Sequence, residues 1–529
     1  MLDRFRRVAL HRALTLLALL PLALVLAACG GGEDDEFAPE AEIADGKLIG
    51  RDSPGMYSFL GIPYAAPPVA ARRWQPPVAP AAWSGRRLVR DFQPHCAQPQ
   101  SFFGSQSGTE DCLYLNVFTP KTPGPHPVMV WIHGGAFYLG QSNSYIPTRL
   151  VAQDMVVVTF NYRLGPLGFM AHPALSAAQG GRSGNYGLMD QQAALRWVQD
   201  NIEAFGGDKS NVTIFGESAG GFSVHAHLAA PASAGLFHKA IIMSGAYHIA
   251  TPQPTLAEAE AANTAALEDD CPSPQTLECL RSQPASALLN AFTLAYPAGI
   301  VPPVDGDVLP TRVQAALAAG TYNKVPVMQG SNHDEWRLFV GEAELRNGTP
   351  LTEAAYRPTI EATLGGPTMA DVAQAAYPVA AYPSPSEALG AFGTDLVFAC
   401  TARISNRLQA NAGATVYAYE FNDATAPSML PGGDALSFPS GAAHISELSY
   451  LFDMRPLNAS QQALADAMAG YWTRFARSGN PNDAAAPGAW PAFTTGNDTY
   501  LSLTPGAVAP TTSFAADHKC DTVWATLGS

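Results

Sequence analysis

Val212-Thr-Ile-Phe215, a short β-branched and aromatic run, passes directly into Gly216-Glu-Ser-Ala-Gly220, which is followed by Gly221 and small and apolar residues. A strand that becomes a helix within so few residues needs a tight turn, and Gly and Ala at the flanking positions let the backbone close. Such a turn requires a sheet to hold the strand and a helix packed on it, so the chain must be built of alternating strand and helix. The same turn projects Ser218 from the sheet edge. It aims the next amide, that of Ala219, at the place where negative charge develops on an attacked carbonyl.

The rest of the chain agrees. Val128-Met-Val-Trp-Ile132 runs into His133-Gly-Gly-Ala136, Met155-Val-Val-Val-Thr-Phe160 into Asn161-Tyr-Arg163, and Ala240-Ile-Ile-Met243 into Ser244-Gly245. Val325-Pro-Val-Met328 and Val416-Tyr-Ala-Tyr-Glu-Phe421 follow. Continuous apolar strands suit a sheet covered on both faces. Leu195 and Val198 mark a helix over Leu188 to Ile202. Leu464, Met468, Trp472 and Phe475 mark another, which stops at Gly479-Asn-Pro. The predicted fold class is α/β, with a large, mostly parallel central sheet and helices on both faces. A single domain spans residues 46–529. Ala250–Ala262 and Tyr377–Leu389 are surface excursions or helical insertions with no assigned place.

Serine needs a base, and the base needs an acid that holds its tautomer. In α/β hydrolases these follow in the order Ser, acid, His. After the helix that carries Ser218 come His238, His248, His333, His444 and His518. His238 and His248 precede any later strand that could supply an acid, and chain order with loop position favours His444 over His518. Asp334 and Glu335 both follow the strand ending at Met328, and the residues alone do not choose between them. Upstream, Gly134 and Gly135 after a buried strand can turn bare N–H groups toward a ligand. With Ala219 they form an oxyanion hole, each donor contributing about 3 kcal/mol to the transition state.

The first 28 residues carry Arg4, Arg6, Arg7 and Arg12 ahead of an apolar run from Ala13 to Ala28. A run this short, ending in small residues, is a secretory signal peptide. Leu26-Ala27-Ala28-Cys29 resembles the lipobox of bacterial lipoproteins, which implies acylation of Cys29 and placement in the bacterial cell envelope. Residues 29–45, rich in Gly, Glu, Asp and Ala, form an acidic tether. A net charge of -15 excludes a nucleic-acid partner, since phosphates demand Lys and Arg. Cys29 is one of seven cysteines, and the remaining six allow 15 pairings. Sequence proximity suggests Cys96–Cys112 and Cys271–Cys279, leaving Cys400–Cys520. Neither CxxC nor HExxH occurs, so no sequence motif points to a metal.

Several stretches together resemble the type-B carboxylesterase/cholinesterase family of α/β-hydrolases. They are Phe205 through Gly220, Glu110-Asp-Cys-Leu-Tyr-Leu-Asn-Val117, Phe59-Leu-Gly-Ile-Pro-Tyr-Ala65 and Arg73-Trp74-Gln-Pro-Pro77, with Asn161-Tyr-Arg163 and Gly184-Asn-Tyr-Gly-Leu-Met-Asp-Gln191. The resemblance implies an α/β-hydrolase fold and a serine carboxylesterase with Ser218 as nucleophile, His444 as base and Glu335 as acid. It further implies a small-molecule ester substrate, no cofactor, and the same three disulfides. Two positions depart from the family pattern. Trp336 stands where Gly often follows the acid, and Ile445 where Gly often follows the histidine. The short loop between Cys96 and Cys112 holds Phe102 and Phe103 but no tryptophan. True cholinesterases carry a choline-binding tryptophan in this loop, so choline specificity is not expected. A loop this short also makes a poor lid for long-chain lipids.

Overall fold

Seven strands run parallel at the centre of an eleven-stranded sheet. The computed structural model describes residues 38–247, 253–296 and 299–525. In chain order the strands are β1 (Arg51–Ser53), β2 (Met56–Pro63), β3 (Tyr114–Pro120), β4 (His126–Ile132), β5 (Val156–Phe160) and β6 (Gly207–Glu217). Then come β7 (Lys239–Met243), β8 (Val327–Asn332), β9 (Val416–Phe421), β10 (Tyr500–Leu503) and β11 (Ala509–Thr511). Across the sheet the order is β11-β10-β9-β8-β7-β6-β4-β5-β3-β2-β1. Antiparallel pairs occur only toward its two ends.

Alternation along the central strands separates two cores. Val128, Val130, Ile132, Ile214 and Ile242 face one, and Met129, Trp131, Phe215, Ile241 and Met243 the other. A strand segment buried on both faces favours an unbroken apolar run, as in Val128–Ile132 of β4, Val156–Val158 of β5, Ile214–Phe215 of β6 and Ala240–Met243 of β7. Helix α1 (Tyr186–Asn201) brings Leu195 and Val198 to the first core. Helix α5 (Ala459–Ser478) brings Leu464, Met468, Trp472 and Phe475 to the second. Gly479 ends α5 at φ 76°, in the left-handed region. Between them lie α2 (Ala219–Ala229), α3 (Arg337–Asn347) and α4 (Cys400–Asn411).

Pro39 to the chain end forms one compact unit. The folded chain starts earlier than the sequence suggested: Glu40–Ile43 pairs antiparallel with Gly46–Ile49, inside the segment expected to be tether. Ala41 and Ile43 point into the core, alternating with Glu40 and Glu42, so the acidic composition masks a half-buried strand. The signal segment and Cys29 lie outside the described residues. The two excursions left unplaced each run into a helix, Leu256–Ala266 and Pro385–Gly393, and residues 250–252 of the first lie outside the described residues. All three disulfides join the expected partners, Cys96–Cys112, Cys271–Cys279 and Cys400–Cys520.

Two pairs of the sequence stretches meet as clamps. Arg163 donates through Nε and Nη2 to Asp190 on α1, both at 2.7 Å, with the pair buried. Arg73 grips Glu110 with Nε at 2.7 Å and Nη2 on the other oxygen. Bidentate geometry of this kind offsets the cost of burying the charges.

Candidate active site

The turn after β6 holds Ser218 at φ 56° and ψ -124°. An L-residue there costs about 1–3 kcal/mol, a strain that surrounding packing must maintain. Ser218 N–H donates to the Met243 carbonyl at 2.9 Å, and the Ser218 carbonyl accepts from Phe222 N–H, so the turn is tied to β7 and to α2. A methyl group on Gly216 would come within 2.5 Å of the Gly220 carbonyl carbon, and one on Gly220 would strike the Ile132 carbonyl. Both glycines are therefore required by close backbone approach. Ser218 stands at the N-terminus of α2, and Ala219 is its first residue.

The loop after β4 lies against this turn. A methyl group on Gly134 would sit 2.7 Å from the Glu217 carbonyl oxygen and 3.0 Å from Ser218 Cβ. Gly135, at φ 109°, accepts N–H bonds from Tyr138 and Leu139, which curl the loop around it. His133 is buried, its Nδ1 2.9 Å from the Gly134 carbonyl, and burial lowers its pKa to about 4. It is a neutral support beneath the loop, not a proton carrier.

His444 comes from the loop before the short helix Ser446–Tyr450. Its Nδ1 lies 2.5 Å from Glu335 Oε2, and its backbone N–H donates to the Glu335 carbonyl. The other Glu335 oxygen accepts the Asn332 N–H at 2.7 Å, at the end of β8. Asp334 turns elsewhere: its carboxylate takes the Ala442 N–H at 3.0 Å and pairs with Arg337. Of the two acids left open by the residues, Glu335 is the one that reaches the histidine. His444 Nε2 faces the turn that holds Ser218, 3.1 Å from Glu217 Oε1. Phe339 and Phe398 flank the ring at centroid distances of 5.3 and 4.8 Å.

Glu217 and Glu447 are the further residues of this cluster. Burial, reinforced by the neighbouring Glu335, raises the Glu217 pKa well above the usual carboxyl value. Glu447 is raised by burial and by Glu217 and Glu335, while it accepts Asn332 Nδ2 at 2.5 Å. Burial thus disfavours the charged form of both, while Glu335 meets His444 at Nδ1 and Glu217 meets it at Nε2. Glu447 had a signal in sequence only as part of Gly441-Ala-Ala-His-Ile-Ser-Glu-Leu448.

His518 belongs to a different place. Its Nδ1 is 2.6 Å from Asp395 and its Nε2 2.5 Å from Glu420. Burial opposes its charge, but the two carboxylates prevail and raise its pKa to about 10. A histidine so fixed cannot serve Ser218.

The sheet, the strained serine after its sixth strand and the histidine–carboxylate pair beyond define an α/β hydrolase. The profile of the carboxylesterase family matches residues 38–523, and the chain belongs to that family. It is 36% identical to the para-nitrobenzyl esterase of Bacillus subtilis over 85% of this chain and 91% of that one. It is 35% identical to the fumonisin B1 esterase of Sphingopyxis macrogoltabida over 86% of each. Among solved structures, a carboxylesterase of Geobacillus stearothermophilus superposes with a TM-score of 0.78 at 33% identity, covering 92% of this chain and 99% of the other. The protein is a carboxylic ester hydrolase.

Proposed function

We propose that the protein hydrolyses small-molecule carboxylic esters through a Ser218–His444–Glu335 triad and an acyl-enzyme. His444 Nε2 takes the proton of Ser218 as Oγ attacks the carbonyl carbon, and Glu335 stabilises the imidazolium through Nδ1. The N–H groups of Gly134, Gly135 and Ala219 receive the oxyanion. Collapse of the intermediate expels the alcohol, protonated by His444. Water then attacks the acyl-enzyme by the reverse proton path and releases the acid. The Glu335–His444 distance of 2.5 Å, on a ring whose other nitrogen faces the nucleophile turn, carries this reading.

The two curated relatives are named as esterases of compounds as different as para-nitrobenzyl esters and fumonisin B1. We further propose that the chain is exported and held to the bacterial cell envelope by a lipid on Cys29. Disulfides persist in such an oxidising compartment. Among the described residues no helix is long and apolar enough to cross a membrane.

A fluorophosphonate should label the wild-type enzyme once, with loss of p-nitrophenyl ester hydrolysis, and should not label Ser218→Ala. Labelling of the variant at the wild-type rate would overturn the assignment.

A further inference from the structure

Beyond the ester-cleaving cluster, three ligating side chains from distant parts of the chain converge on one point. His333 follows β8, Glu420 lies on β9, and His518 follows the short helix Phe514–Asp517. One donor atom from each lies within 4.8 Å of the other two. We propose that His333, Glu420 and His518 form a binding site for a divalent transition-metal ion, with zinc as its best-fitting occupant.

The partners around the three residues support this more than the cluster itself. Each imidazole has a carboxylate on Nδ1: Asp334 at 3.3 Å from His333, and Asp395 at 2.6 Å from His518. Metal-bound histidines carry such a carboxylate on the nitrogen that does not ligate, where it fixes the tautomer and raises basicity. Nε2 of both rings is then the nitrogen to offer. Asp395 is itself held by Tyr377 O–H at 2.6 Å, and Tyr377 by Trp524 Nε1–H at 2.7 Å. Glu420 is oriented the same way, with Asn422 Nδ2 donating to Oε2 at 2.9 Å, which leaves Oε1 toward His518.

Two nitrogens and one carboxylate oxygen, with a fourth position for water, match a three-ligand zinc site. His518 and Glu420 are buried while His333 is exposed, so the site has a closed floor and an open side for entry. An imidazolium clamped between Asp395 and Glu420 would account for His518 but not for His333, whose ring centroid stands 5.4 Å away. Binding exchanges one cation for another. Zinc forms bonds to Glu420 Oε1 and to both Nε2 atoms, and the proton between His518 and Glu420 passes to buffer. Occupancy would tie the segment bearing Asp334 and Glu335 to β9 and to the C-terminal region.

The test is calorimetric titration of tag-free, chelator-treated full-length enzyme with zinc chloride, paired with the cobalt(II) absorption spectrum. Wild type should bind one equivalent at pH 8 with a dissociation constant in the micromolar range or tighter. Binding should weaken at pH 6 and release a proton measurable from the buffer dependence of the heat. Cobalt should give the intense visible bands of a low-coordinate site. His333→Ala, a change at an exposed side chain, should weaken zinc binding at least tenfold, and Glu420→Gln should do the same if it folds. Absence of saturable binding to wild type would overturn the proposal, and so would unchanged affinity in His333→Ala, which would mark an adventitious ion only.

Discussion

Asp334 and Glu335 are chain neighbours with the same functional group, yet they do different work. Asp334 stitches the histidine loop to α3 by accepting the Ala442 N–H and pairing with Arg337, whereas Glu335 reaches His444 Nδ1. A single step along a turn reverses the direction of a side chain, and composition records nothing of that. This is why the residues alone left the acid open while chain order already favoured His444. Neutralising each in turn separates the two tasks. Glu335→Gln should lower kcat by about 100- to 10,000-fold, because the amide cannot hold the required tautomer or balance the imidazolium. Asp334→Asn should cost about 1 kcal/mol of stability and leave kcat nearly unchanged. Steady-state hydrolysis of a p-nitrophenyl ester, with circular dichroism on both proteins, decides it. A larger kcat loss for Asp334→Asn would assign the acid to the wrong residue.

At the scale of elements, the strands of the central sheet were legible because burial on both faces favours unbroken apolar runs. Val416–Phe421 is a strand over the whole run read from sequence, and Lys239–Met243 extends its run by one residue. β1 to β3 were not visible as strands, since edge strands pair antiparallel and their pattern is less uniform. The two departures from the family pattern met different solutions. The Trp336 ring lies across Gly393, where any side-chain carbon would collide with the indole, so a small residue far along the chain makes room for a large one. Ile445 has no such relief. It stands at φ 65°, a left-handed conformation that costs an L-residue about 1–2 kcal/mol. Ile445 is also partly buried against the core, so its direct replacement by Gly would mix lost packing with released strain. The comparison that isolates strain starts from Ile445→Ala. Ile445→Gly should be more stable than Ile445→Ala by about 1 kcal/mol, although Gly is the more flexible residue in the unfolded chain. Urea unfolding of the two variants measures the difference. If the Ala variant is the more stable, the backbone at 445 carries no such strain.

Over the whole molecule, the quoted stretches proved legible for two separate reasons. Gly216 through Gly220 and Gly134 surround Ser218, whereas Arg73 with Glu110 and Arg163 with Asp190 are structural clamps, a role visible only once their partners meet. The putting together of His333, Glu420 and His518 left no trace in sequence, because no local spacing joins them. Disulfides were recoverable from parity and proximity, and they bear on where the molecule resides. Three cross-links in a chain of this size fit a protein that folds after export. The compact unit that holds Ser218 and His444 starts at Pro39, so only a short stretch of sequence separates it from Cys29. An acyl chain there would keep the catalytic domain close to the membrane surface. One lipid chain alone gives marginal, reversible attachment, and stable anchoring needs more than one. A diacylated Cys29 should therefore send the wild-type enzyme into the detergent phase with the membrane fraction when it is expressed in a bacterium with its own leader. Cys29→Ser should move the esterase activity to the soluble periplasmic or culture fraction at unchanged kcat, because Cys29 is none of the residues proposed to act on the ester. Mass spectrometry of the mature N-terminus gives the direct check: an unmodified Cys29, or cleavage at another position, would remove the lipid from the account while leaving export and catalysis standing.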